Sequence, residues 1–136
     1  MDRIPPEKRR ALMSKIKGVN TAPEMIVRRL VFSKGYRYRL HRKNLPGRPD
    51  LVFPSRKSVI FVHGCFWHQH TRCNKATTPK TRTAFWTKKL SRNVERDIEI
   101  VKALTSLGWR VLTIWECETK EPERLTGRIS EFLERG

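Results

Sequence analysis

The chain has 136 residues, 38% of them hydrophobic and 32% charged, with 30 Lys plus Arg against 13 Asp plus Glu and a net charge of +17. That length and apolar share suit one domain around one core, not two. No apolar run approaches the roughly 20 residues of a membrane span, and MDRIPPEKRRALMSK lacks the apolar stretch of a secretory signal. A cytosolic location is the expectation. There, cysteines more often hold metal than form disulfides, and three of them cannot pair completely within one chain.

The charge is unevenly spread. Residues 25–94 carry 17 Lys/Arg and one acid, Asp50, giving +16, whereas residues 1–24 are +3 and 95–136 are −2. A segment so positive repels itself unless an anion neutralises it, and the natural polyanion of a cytosol is nucleic acid.

The elements read as follows. Pro5-Pro6 opens a basic helix over Glu7–Lys17, ended by Gly18. Thr21-Ala22-Pro23-Glu24 carries a helix start, with Thr21 as N-cap, and predicts a helix to about Ser33 that buries Ile26, Val27, Leu30 and Val31. Tyr36, Tyr38 and Leu40 alternate with Arg37 and Arg39, a half-exposed strand. LPGRP is a turn, Leu51–Phe53 a short strand, and Pro54–Lys57 a hairpin-like turn leading into SVIFV, an apolar run typical of a strand buried on both faces.

Residues 64–92 read as irregular, with Phe85-Trp86 near a helix start. Val94–Leu107 reads as a helix burying Ile98, Val101 and Leu104 or Thr105, capped by Gly108. RVLTIW (110–115) is a second buried strand, and Leu125, Ile129, Phe132 and Leu133 stripe a last helix. The order predicts an α/β sandwich with helices flanking a small mixed sheet.

Three of the four histidines fall in HGCFWHQH, residues 63–70, followed by Cys73 and, much later, Cys117. Zn²⁺ takes Cys sulfur and His nitrogen tetrahedrally. Cys65, Cys73 and one intervening His supply three donors on one loop, and His70 suits the spacing to Cys73 better than His68. Cys117 follows RVLTIW, so it becomes the fourth donor if that strand lies beside SVIFV. Four protein donors leave no place for water, so such a zinc ion is structural.

Asp50 stands among the 17 cations. A salt bridge to Arg48 or another basic neighbour is the plain reading. In a hairpin joined through Pro54–Lys57, however, Asp50 lies beside Val62-His63. Phosphodiester hydrolysis needs a hard cation on oxygen donors and a base for the attacking water. Asp50 and the Val62 carbonyl could hold Mg²⁺, and His63 and His68 are then the uncommitted candidates for a base near pH 7.

Pro49-Asp50, FVHGCFWHQH, TRTAFW, NVERD and GWRVLTIWEC together resemble the very-short-patch-repair endonucleases. These are bacterial enzymes of restriction-endonuclease-like fold that nick one DNA strand beside a T·G mismatch left by deamination of 5-methylcytosine. The similarity runs from about Leu12 to the C-terminal helix. It implies a single endonuclease domain over residues 1–136, with residues 1–18 as a basic DNA-contacting helix. It implies Asp50 and the Val62 carbonyl as Mg²⁺ ligands, His68 as general base oriented by Asp97, and His63 and Glu24 at the scissile phosphate and hydrated metal. Cys65, His70, Cys73 and Cys117 would hold structural Zn²⁺. Phe66, Trp67 and Trp86 would form an aromatic wedge between base pairs, Met13 would enter from the other groove, and Lys89 and Asn93 would read the mismatch. Val62 stands where threonine is frequent in the family, a change a backbone ligand tolerates.

The physics suits a wedge. Phe66-Trp67 lies between a zinc donor and the base, and a mismatched step costs less to unstack than a paired one. The implied partner is duplex DNA with a T·G mismatch, not a membrane. A monomer is the default, with contacts to other mismatch-repair proteins left open. The competing readings are a restriction-type nuclease that cuts unmismatched duplex and a non-enzymatic zinc module that binds nucleic acid.

Overall fold

The computed structural model describes residues 21–71, 73, 76–77 and 79–135. The expected N-terminal helix and Met13 lie outside these residues. Helix α1, Ala22–Ser33, starts where the capping signal places it: Thr21 is extended and its side chain accepts the Glu24 backbone N–H at 3.4 Å. Strands β1 (Arg39–Leu40), β2 (Leu51–Phe53) and β3 (Ser58–His63) follow, then helix α2 (Thr83–Ser106), strand β4 (Arg110–Trp115), a 3₁₀ turn (Glu116–Lys120) and helix α3 (Pro122–Glu134).

The four strands form one sheet in chain order, antiparallel across β1–β2–β3 and parallel between β3 and β4. The parallel pair requires a crossover, which α2 supplies. Side chains alternate between the faces. Leu51, Phe53, Ile60, Leu112 and Ile114 meet Val27 and Val31 of α1 and Leu125, Ile129 and Leu133 of α3. Val52, Val59 and Phe61 meet Leu45 and Leu104 on the α2 side, with Ile100 and Val111 packed alongside. The mixed α/β sandwich expected from the sequence is thus formed.

Three expectations need correction. The strand predicted over 36–40 is only Arg39–Leu40; Tyr36 and Tyr38 turn inward before it, Tyr38 edge-on to Phe53 at 6.4 Å. Residues 83–92 are not irregular but the first turns of α2, which runs unbroken for 24 residues. Ile98 and Val101 are not core residues of that helix: they are 52% and 36% exposed. The inward stripe instead runs Trp86, Leu90, Asn93, Asp97, Ile100, Leu104, a 4-3-4-3-4 spacing that includes two polar residues. Apolar periodicity alone selected the wrong face because part of this face serves something other than the core.

Candidate active site

The C-terminal end of β3 collects the polar groups. Asp50 precedes β2, and the register Leu51↔Ile60 carries it to the end of the hairpin. There its Oδ2 accepts the Val62 backbone N–H at 2.7 Å. No ion pair joins Asp50 to Arg48 among the described residues; the imidazole of His41 lies beside it, with Nε2 3.9 Å from Asp50 Oδ1. Gly47 fixes the turn that delivers Asp50. Its φ is +73°, and a Cβ there would lie 2.5 Å from Ile100 of α2, so glycine alone lets the loop close on that helix.

Glu24, 1% exposed, comes from α1. It is paired with Arg28, and its Oε2 lies 2.9 Å from His41 Nε2. Asp50 is therefore not a solitary anion. Burial pushes its carboxyl up to about 7, and the nearby Glu24 adds to the shift, although the Val62 N–H opposes it. A buried and a half-buried carboxylate sharing one imidazole are suited to receive a cation.

The opposite face of the strand end contributes imidazoles. His63 points to the α2 side with Phe61 and stacks on His68, ring centroids 3.7 Å apart and planes 5° off parallel. His68 Nδ1 lies 2.6 Å from Asp97 Oδ2 on α2. A carboxylate at Nδ1 fixes the proton there and leaves Nε2 as the basic nitrogen. Burial, then the neighbouring His68, holds His63 down to about 4, so His63 stays neutral. Its Nδ1 is buried without a hydrogen-bond partner among the described residues, a costly state that a ligand or water at the strand end would relieve.

Past His63, the loop carries the sulfur cluster. Cys65, His70, Cys73 and Cys117 present donor atoms within 4.8 Å of one another. His70 Nδ1 lies 3.6 Å from Cys65 Sγ and 3.5 Å from Cys117 Sγ. Tetrahedral bonds to zinc of ~2.3 Å from sulfur and ~2.05 Å from nitrogen set that separation at about 3.6 Å, so the residues fit the ion. His70 also stacks on Trp115 at 4.2 Å. Burial, then the crowding by Cys117 and Cys73, pushes the Cys65 thiol up to about 12, which a bound cation would reverse.

Between these donors and His68 sit Phe66 and Trp67. With Trp86 they form a triangle of half-buried rings, with centroids 5.0, 5.8 and 5.9 Å apart. Asn93 donates from its side-chain amide to the Trp67 carbonyl at 3.1 Å, pinning the loop to α2. Lys89 is half-buried on the same helix. One α2 stripe thereby carries Trp86, Asn93 and Asp97 toward the loop and Ile100 and Leu104 into the core.

The family model described as DNA mismatch endonuclease Vsr matches residues 1–75. The chain is 49% identical over 133 residues to Type II nicking enzyme V.XorIIP of Xanthomonas oryzae pv. oryzae, covering 98% of this chain and 97% of that protein. It is 45% identical over 116 residues to the DNA mismatch endonuclease Vsr of Escherichia coli, covering 85% of this chain and 74% of that protein. The chain belongs to the Vsr family. It is accordingly a DNA endonuclease, a phosphodiester hydrolase. A second nicking enzyme, V.NmeAIP of Neisseria meningitidis, is 42% identical over 126 residues, covering 93% of this chain and 89% of that protein.

For this Vsr-family chain, the structure brings Asp50 and Glu24 together at one side of the β3 end and His63, His68 and Asp97 at the other. Sequence reasoning missed His41, which sits in a basic run that reads as phosphate-binding surface. It also missed Phe85, 46% exposed and edge-on to Trp86 at 5.4 Å. Phe85-Trp86 was legible as a helix start, but nothing in the spacing assigned the two rings to different surroundings.

Proposed function

We propose that this endonuclease nicks duplex DNA at a T·G mismatch, 5′ of the mispaired thymine, and so initiates very short patch repair in the bacterial cytoplasm. His68 is the general base, held in one tautomer by Asp97. Asp50 and the Val62 carbonyl hold Mg²⁺, which when bound polarises the scissile phosphate and stabilises the leaving oxygen. In a strand, the N–H and C=O of one residue face the same edge, so the Val62 carbonyl faces the edge at which its N–H meets Asp50. Glu24 and neutral His63 flank the phosphate.

Cys65, His70, Cys73 and Cys117 hold a structural Zn²⁺ that stiffens the loop. Phe66, Trp67 and Trp86 open the base stack. Met13, within the basic segment 1–18, enters from the other groove, and Lys89 contacts the mismatch with Asn93. The whole chain acts as one domain and as a monomer. Among the described residues no helix is long and apolar enough to cross a membrane.

The observation that carries this reading is the His68–Asp97 pair at 2.6 Å, at the strand end that also anchors the Asp50 carboxylate through Val62. The test is a nicking assay on labelled T·G and matched duplexes of the same sequence, with and without Mg²⁺. Nicking of the T-containing strand only, only with the mismatch and only with Mg²⁺, is expected. Equal cleavage of the matched duplex means a restriction-type enzyme instead. Asp50→Asn should bind the mismatched duplex and leave it intact; cleavage at the wild-type rate removes Asp50 from the chemistry.

A further inference from the structure

The geometry points to His41 as a nitrogen ligand of the Asp50 cation, making Glu24–His41–Asp50 a mixed nitrogen–oxygen centre that takes Mn²⁺ in preference to Mg²⁺. The inference rests on Asp50 being a cation ligand. His41 Nε2 lies 2.9 Å from Glu24 Oε2 and 3.9 Å from Asp50 Oδ1, and one donor atom from each residue falls within 4.8 Å of the others. Donors bonded at ~2.1 Å to one ion stand about 3.0 Å apart when adjacent and about 4.2 Å apart when opposite. The spacing suits a single cation, with the Arg28 guanidinium, bonded to the same Glu24 Oε2, as its immediate neighbour. Three elements hold it from three directions: α1 supplies Glu24, the residue after β1 supplies His41, and the residue before β2 supplies Asp50.

The backbone supports a dedicated role for this histidine. His41 has φ +44°, a left-handed conformation that costs a non-glycine residue energy, and its N–H donates to the Asp50 carbonyl at 3.5 Å. The strain turns the imidazole away from the solvated path of its basic neighbours, Arg39, Arg42 and Lys43, and onto two carboxylates. Without an ion, the hydrogen bond between Nε2 and Glu24 occupies the position. An ion takes its place when the imidazole carries its proton on Nδ1 and turns the Nε2 lone pair inward. Mg²⁺ is a hard cation that takes oxygen ligands, whereas Mn²⁺ accepts an imidazole nitrogen within an otherwise oxygen shell.

The test uses the full chain without DNA, reading Mn²⁺ and Mg²⁺ binding by calorimetry and the bound Mn²⁺ by electron spin-echo modulation from nitrogen. The wild type should bind Mn²⁺ about tenfold more tightly than Mg²⁺ and show a coupled imidazole nitrogen. His41→Gln, which keeps a hydrogen bond to Glu24, should lose that coupling and about tenfold in Mn²⁺ affinity, with Mg²⁺ affinity little changed. Circular dichroism checks that the variant is folded, and the wild-type spectrum decides independently of it. Absence of nitrogen coupling in the wild type, its persistence in folded His41→Gln, or Mn²⁺ binding no tighter than Mg²⁺ overturns the inference. Asp50→Asn separates it from its premise. If that variant abolishes ion binding while His41→Gln has no effect, only the His41 assignment fails. If Asp50→Asn binds as wild type does, the Asp50 cation site itself is wrong.

Discussion

The two clusters suited to metal differ in what holds their donors. Most of the carboxylates and imidazoles at the β3 end hang on regular elements, Glu24 on α1, Asp50 just before β2, His63 on β3 and Asp97 on α2, with His68 on the following loop. Three donors of the sulfur cluster hang on an irregular loop, and Cys117 sits in the 3₁₀ turn after β4. Residues 64–70 are tied by short backbone bonds such as His68 N–H to Gly64 O at 3.2 Å and His70 N–H to Cys65 O at 3.0 Å, with Cys65 N–H donating to Glu116 at 3.3 Å. A packed sheet keeps the first cluster in place with or without an ion. The second, on the proposed reading, would depend on a bound ion for its shape, and His68, Phe66 and Trp67 ride on it. A metal in the sulfur cluster would thus support structure, and one beside Asp50 would support chemistry.

Breaking the sulfur cluster should have the largest effect. A structural zinc contributes on the order of 10 kcal/mol to folding of the segment it closes. Cys117→Ser, or treatment with a zinc chelator, should lower the thermal midpoint sharply and abolish nicking, and added Mg²⁺ should not restore it. Measured zinc content near one ion per chain in the wild type, falling in the variant, completes the check. A chelated protein that still nicks at the wild-type rate would mean that the sulfur cluster does not hold His68, Phe66 and Trp67 in place.

His68→Gln and Asp97→Asn should reduce nicking by about 10²–10⁴-fold, the usual contribution of a positioned base. The double variant should be hardly worse than His68→Gln alone, because Asp97 acts through His68. Unlike Cys117→Ser, both singles should retain the zinc and a near-normal midpoint, measured on the same samples. A smaller effect is expected at the aromatic triangle. Trp67→Ala should reduce the ratio of mismatched to matched cleavage by about tenfold, since unstacking a step costs a few kcal/mol and only part of the wedge is lost. Competition nicking with both duplexes in one tube measures that ratio directly.

What the sequence made legible follows the same division. Helix α1 was marked by Thr21 and Glu24, and the buried strands by SVIFV and RVLTIW, because capping and unbroken apolar runs are local signals. The pairing of Asp50 with Val62 followed from counting through the Pro54–Lys57 turn, and the hydrogen-bonded register then placed the carboxylate. The clustering of Cys65, His70, Cys73 and Cys117 was visible because all three cysteines and a crowded histidine have few alternative uses. The inward face of α2 was not visible. Asn93 and Asp97 are polar residues on a buried stripe, and Ile98 and Val101 mimic the apolar period on the wrong side. His41 was hidden for a similar reason: its partners, Glu24 and Asp50, lie 17 and 9 positions away in sequence, and only the tertiary fold brings them together.

The smallest expected effect tests the strand end with two opposed titrations. Asp50 is held up to about 7 from 3.8, chiefly by burial. Unfolded chains therefore release this proton before folded ones do, and its contribution to stability, present below about pH 4, declines as pH rises to about 7. His63 is held down to about 4 from 6.5, again chiefly by burial. Unfolded chains take up that proton first, so its contribution is present above pH 6.5 and declines as pH falls to about 4. The slopes oppose one another over most of that range, so the wild type without added Mg²⁺ should show little net dependence from these two groups. His63→Phe should leave the Asp50 slope, with stability relative to wild type gained toward acid pH. Asp50→Asn should leave the His63 slope, with stability relative to wild type gained toward neutral pH. Urea midpoints at half-unit steps between pH 4 and 7.5 read both differences if the urea dependence is unchanged. Added Mg²⁺ competes with the Asp50 proton, so its protection of the wild type should grow through about pH 7 and vanish in Asp50→Asn. Parallel curves for all three proteins would mean that neither group is buried at the strand end as the fold places it.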